Sequence, residues 1–166
     1  MTAFADLLDS INRTVGAWVR WCALGMVLLQ FAIVLLRYVF GISFIFLTEG
    51  VLYLHSALFM LGAGFTLLID GHVRVDIFYA RATPRLKAAI DIFGHLAFLA
   101  PSMTILLVYS LPSVRRSWLV LEGPVSVGGI PASFLLKSLI PAFCILLLIQ
   151  GAACLTRDLI RWRTAG

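Results

Sequence analysis

The chain has 166 residues, 61% of them hydrophobic and 13% charged, with a formal net charge of +5. A soluble domain of this size has no interior able to hold so much apolar surface, so lipid has to cover the remainder. The basic balance is not that of a nucleic-acid binder, which needs a solvated basic face with aromatics to stack on; no segment supplies one.

The first ten residues hold Asp6 and Asp9 and no Lys or Arg. No small-residue cleavage site follows a short apolar core, so this start does not read as a cleaved leader. Over residues 4–18, Phe4, Leu7, Leu8, Ile11, Val15 and Trp18 share one helical face, with Asp6, Asp9, Asn12 and Arg13 opposite. That pattern predicts an amphipathic helix, either lying on the membrane surface or extending the first span into the cytoplasm.

Four windows free of Asp, Glu, Lys and Arg mark the spans: Trp21 to Leu36 (16 residues), Gly50 to Ile69 (20), Ile92 to Val114 (23) and Ser138 to Thr156 (19). About 20 apolar residues cross a bilayer. The first window reaches that length if Arg20 and Arg37 snorkel outward. The expectation is an all-α integral membrane protein with four transmembrane helices, at approximately 19–40, 48–69, 92–114 and 135–156, forming one domain over 1–166. Nine Lys and Arg residues flank one side (Arg13, Arg20, Arg74, Arg81, Arg85, Lys87, Arg157, Arg161, Arg163) and four the other (Arg37, Arg115, Arg116, Lys137). The positive-inside rule then puts both termini and the 70–91 loop in the cytoplasm.

The first link, Tyr38 to Thr48, is apolar and aromatic, and Gly41 and Ser43 supply its turn. Arg37 closes the first helix and Glu49 opens the second, signs that suit the helix dipoles. They can stand alone there, pair with each other, or meet another subunit. Asp70-Gly71 reads as a turn closing the second helix. The segment Asp70-Gly-His72-Val-Arg74-Val-Asp76 is the most polar stretch between two membrane-length apolar runs. If extended, His72, Arg74 and Asp76 share a face; if helical, His72 and Asp76 align. A solvated loop and a structural clasp are both open. Thr83-Pro84 predicts a helix start, with the third helix running to about Val114 and Pro101 and Pro112 as kinks or ends. The 115–137 loop carries turn signals and is the outer segment suited to meeting a soluble partner.

Sites of chemistry are scarce. Cys22, Cys144 and Cys154 are odd in number, fit no metal spacing and read as packing residues. His55 and His95 lie within charge-free spans, but antiparallel helices put them at different depths, roughly 21 Å and 5 Å above the cytoplasmic ends, so one haem iron does not bridge them. Each reads as a satisfied or lipid-edge histidine. A self-sufficient four-helix transporter would want an intramembrane carboxylate, and the nearest, Glu49, is at the rim. A membrane anchor of a redox complex is the other alternative. No hydrolytic triad, P-loop or zinc motif is present, so neither catalysis nor a cofactor is expected.

Several short pieces occur in a recognisable order: Leu36-Arg37-Tyr38-Val39-Phe40-Gly41, Thr48-Glu49, Leu61-Gly62-Ala63-Gly64, His72-Val-Arg-Val-Asp76 and Ile130-Pro131. In this order and spacing the chain resembles the small membrane subunit (DctQ-like, Q subunit) of tripartite ATP-independent periplasmic (TRAP) transporters, over nearly its whole length. Gly128-Gly129-Ile-Pro131, Leu136-Lys137-Ser138 and Gln150-Gly151 look like the mannitol/chloroaromatic branch, a label that fixes no substrate. Phe46 stands where many relatives have Trp. The resemblance implies a non-catalytic scaffold in the bacterial inner membrane. Its expected partners are lipid, a large elevator-type permease subunit holding the substrate and sodium sites, and a periplasmic binding protein that delivers an organic acid. On this resemblance Arg37, Glu49, His72, Arg74 and Asp76 become candidate structural or inter-subunit contacts, and none is catalytic.

Overall fold

A computed structural model describes residues 2–72, 79 and 82–164. Among them are four helices long and apolar enough to cross a membrane, and no strand. They are α1 (Thr2–Val39), α2 (Ile45–Leu68), α3 (Pro84–Leu119) and α4 (Ser133–Thr164). The all-α, four-span fold expected from the charge-free windows is the fold the chain adopts.

α1 is one unbroken helix of 38 residues, about 57 Å at 1.5 Å per residue. The amphipathic segment is its first turns, continuous with the first apolar window. Part of its polar side turns inward: Asn12 is buried with Ala5 and Val19 and Asp9 is half-buried, while Asp6 and Arg13, like Phe4, Leu7, Ile11 and Trp18, are exposed. α1 stops where Gly41 takes φ +68, and the Ile42 N–H folds back onto the Leu36 carbonyl at 3.0 Å.

α2 ends as Asp70-Gly71 predicts. Asp70 has φ 56, its N–H reaches the Leu67 carbonyl at 3.2 Å, and the Gly71 N–H reaches that of Thr66 at 2.9 Å. These two bonds satisfy carbonyls that a helix end otherwise leaves unpaired, and Asp is among the few side chains that tolerate the left-handed position. α3 starts at Thr83-Pro84 as expected, the Thr83 hydroxyl accepting the Leu86 N–H at 3.3 Å.

α3 departs from expectation in two ways. Its turn at His95–Leu99 is a π-helix, with the Ala100 N–H bonded to the His95 carbonyl. Pro101 follows directly; it has no N–H to give and its ring crowds the carbonyl four residues back, and one wider turn accommodates both. The helix also passes Pro112 and runs to Leu119 rather than ending near Val114. Spanning helices tolerate proline, and the stop comes from Leu121 at φ 44, with the Glu122 N–H on the Ser117 carbonyl at 3.0 Å.

α4 is central: it packs on α1, α2 and α3, α1 packs along α2, and among the described helices α3 makes extended contact with α4 alone. Most large apolar side chains face outward, among them Phe31 on α1, Phe59 on α2 and Phe98 and Tyr109 on α3. Lipid is the medium that solvates such a surface. The largest fully buried side chains are Gln150, Asn12 and Cys144, two amides and a thiol. The inside of this bundle is thus more polar than its outside.

Candidate functional site: polar clasps at the two ends of the bundle

One end of the bundle carries both chain termini and the α2–α3 connection. The other, distal end carries the short α1–α2 link and the loop between α3 and α4.

At the distal end Glu49, in the second turn of α2, is only 5% exposed. Its two carboxylate oxygens accept the Ser126 and Ile130 N–H groups, each at 2.7 Å. The loop curls around it through Gly128 at φ +83 and a Gly129 N–H to Ser126 carbonyl bond of 2.9 Å. A Cβ on Gly129 would overlap the Glu49 carboxylate, so the loop approaches this closely only with glycine there. Burying a carboxylate is costly unless its lone pairs are satisfied, and charge-assisted bonds to two backbone donors satisfy them.

The same loop is tied at its margins. Glu122 accepts from the Ser117 hydroxyl and from Lys137 Nζ, and Trp118 Nε1–H donates to Ser138 Oγ at 2.8 Å. The Lys137 ammonium, and after it the Ser117 hydroxyl, hold the Glu122 carboxyl below the usual carboxylate range.

Arg37 is exposed and forms no ion pair among the described residues. Of the arrangements open from sequence, the Arg37–Glu49 pair is not the one formed, because the loop backbone already takes both Glu49 oxygens. His72 is exposed at the mouth of a groove between α1 and α2. Arg74 and Asp76 lie outside the described residues, and with them the His72–Asp76 clasp.

At the terminal end, polar groups cross from α1 to α4. Asn12 Nδ2 donates to Gln150 Oε1 at 3.0 Å and to the Leu146 carbonyl at 3.3 Å. Gln150 Nε2 donates to Asp9 Oδ1 at 2.9 Å, and Arg157 donates to Asp9 Oδ2 at 2.6 Å. Asn12 Oδ1 is buried without a hydrogen-bond partner among the described residues. It points at Gly64 of α2, where any Cβ would overlap it.

Beside this relay, the π turn of α3 faces α4 across a polar cavity of about 230 Å³ that includes Asp91, His95, Asp158 and Arg161 in its wall. His95 Nδ1 lies 2.7 Å from the Asp91 carbonyl and 3.8 Å from Asp158 Oδ2. Tyr79 donates to Asp91 Oδ2 at 2.7 Å, and Arg161 to Asp158 Oδ1 at 3.3 Å. His95 is therefore a satisfied histidine, whereas His55 is exposed beside Phe59. No cluster of three or more metal-type ligands occurs among the described residues. Chemically, both ends do the same thing: they hold helices and a loop together.

Sequence reasoning singled out Glu49 but not Asp9, Asn12, Gln150 or Arg157. The signal was present: Gln150 is an amide in a charge-free span, and Asp9 and Asn12 share the polar side of an otherwise apolar helix.

Four long apolar helices, with the buried carboxylates Glu49 and Asp158 held by internal hydrogen bonds, define a multi-pass membrane protein. The family model described as "Tripartite ATP-independent periplasmic transporters, DctQ component" matches residues 26–161. The chain belongs to this DctQ-component family of TRAP transporters. Comparison with curated proteins and with solved structures returns no match. The matched region begins within α1, beyond Asp9 and Asn12, so the terminal clasp joins residues ahead of that region to Gln150 and Arg157 within it.

Proposed function

We propose that the chain is the non-catalytic scaffold subunit of a sodium-coupled, binding-protein-dependent importer of organic acids. In this reading it braces a large elevator-type permease subunit in the bacterial inner membrane, with both termini cytoplasmic. Membership in the DctQ family supports the subunit role. The observation that carries the scaffold reading is the commitment of Glu49, Asp9 and Asp158 to this chain's own backbone, Arg157, and Arg161. A carboxylate that couples ions to substrate has to exchange partners during the cycle, and Glu49 is held on both oxygens. Arg37, His72, Arg74 and Asp76 then become candidate contacts to the large subunit, and the Glu49-pinned loop a stable outer platform.

Reconstitution tests this. Liposomes are prepared with this chain, with the large subunit, and with both, each with the binding protein and a sodium gradient. Uptake is expected only where the large subunit is present, and to be highest with both. Sodium-driven uptake by this chain and the binding protein alone would overturn the proposal.

A further inference from the structure

Between α1 and α2, near the terminal end, runs a groove of about 800 Å³. Ala17 of α1 and Gly62 and Ala63 of α2 line it, and Arg13, Arg20 and His72 edge it. Arg13, Ala17 and Arg20 fall at i, i+4 and i+7, on one side of the helix. A Cβ built on Gly62 meets nothing within 4 Å, so the groove is open there. Among the described residues no carboxylate lines it. Two cations of this end are held within the chain, and the two at the groove are not. Arg157 and Arg161 are paired with Asp9 and Asp158. Arg13 and Arg20 have no ion-pair partner among the described residues, and Arg20 is braced only over the Trp21 ring, 5.7 Å from its centroid.

We propose that this groove binds an anionic phospholipid, one acyl chain lying between α1 and α2 and the phosphate held by Arg13 and Arg20, with His72 at the mouth. Three features single out this occupant. The walls are mostly apolar while the rim, among the described residues, is basic, which is the division of a lipid into tail and headgroup. Trp18 and Trp21 are 74% and 58% exposed on the same stretch of α1, and exposed Trp of a spanning helix sits at headgroup level. A protein helix laid in the groove would strip water from two arginines to which the described residues offer no counter-charge, a costly burial; a phosphate brings that charge with it. Seven residues separate the arginines by about 10 Å along the helix, within the reach of two long side chains converging on one headgroup.

The test is native mass spectrometry of the full chain in detergent, titrated with phosphatidylglycerol or phosphatidylcholine, retained elution volume confirming the fold of each variant. Wild type is expected to prefer phosphatidylglycerol. The pair Arg13→Gln with Arg20→Gln should lower that affinity about thirtyfold, corresponding to about 1 kcal/mol per basic residue. The pair Arg13→Lys with Arg20→Lys should stay within about threefold of wild type, since a phosphate accepts an ammonium as a point charge. Gly62→Leu fills the groove and leaves every charge in place; it should lose phosphatidylglycerol as well, while Arg163→Gln should not. Equal binding of the two lipids by wild type, an unchanged Gln pair, or a Lys pair as weak as the Gln pair would each overturn the proposal. So would a Gly62→Leu variant that binds like wild type, which would reduce the effect to attraction at the surface. In the assembled transporter, cross-linking of Ala17→Cys to another subunit with no lipid retained would assign the groove to protein and overturn it too.

Discussion

Replacing Glu49 with Gln is the sharpest probe of the distal clasp, because it removes charge and one acceptor while conserving shape. Two backbone N–H groups, of Ser126 and Ile130, each reach a carboxylate oxygen at 2.7 Å. A hydrogen bond to a charged group contributes about 1.5–3 kcal/mol net. Gln keeps one acceptor oxygen and turns an NH₂ group toward the other donor, so one bond is lost and two donors are left facing each other. The expected cost is about 2–3 kcal/mol. Glu49→Ala removes both bonds, but Ser126 sits on an exposed part of the loop and regains water, which holds the cost to about 3–4 kcal/mol rather than the full sum. The assay is hydrogen exchange of the Ser126 and Ile130 amides in detergent or nanodiscs. A loss of 2–3 kcal/mol in local opening speeds exchange about 30- to 150-fold. Gly129→Ala should have a similar effect without altering charge, since its Cβ would displace the carboxylate. Wild-type exchange rates at both amides in Glu49→Gln, with an unchanged unfolding midpoint, would refute the reasoning.

At the other end, Asp9→Asn should destabilise the bundle by about 1–2 kcal/mol, a value reduced because the Arg157 side chain is 31% exposed; a double-mutant cycle with Arg157→Gln in denaturant unfolding should return a coupling near 1 kcal/mol. Gly64→Ala drives a methyl into Asn12 Oδ1 and should cost about 1–3 kcal/mol by overpacking, part of it recovered in the same assay when Asn12 is shortened to Ala. The carboxyl of Glu122 is held below its usual range by Lys137, so its contribution is present at pH values above the ordinary carboxylate range and is lost as pH falls through the depressed value. In Lys137→Ala the midpoint of that acid transition, followed by amide exchange in the loop, should move up in pH; an unmoved midpoint would count against the pairing.

What the sequence disclosed and what it hid follow a physical division. The number of apolar helices, the Thr83-Pro84 start and the Asp70-Gly71 stop depend on local composition and on backbone conformations of neighbouring residues, and all three are as expected. The partner of Glu49 is a loop 77 residues further on, and no periodicity reports which backbone donors a carboxylate will find. Residues 4–18 show the limit more sharply. Their apolar stripe was legible, but a stripe reads as inward only when the surroundings are water. Against lipid the preference is reversed, and Asp9 and Asn12 turn to the interior because that is where donors and acceptors exist. The π turn depends on Pro101 and on the helix it faces, so proline alone announced an irregularity without its form.

The Asp9–Arg157 tie spans 148 residues and has a consequence for how the chain is made. Synthesis delivers α1 first and α4 last. Until the Gln150–Arg157 segment has left the ribosome, Asp9 and Asn12 lack their partners and are best kept among headgroups or water. The polar seam of the first helix is therefore completed only when the last one arrives. A polypeptide cut short before Gln150 would carry a half-finished polar seam, a mark by which a cell's quality control could tell it from the finished subunit.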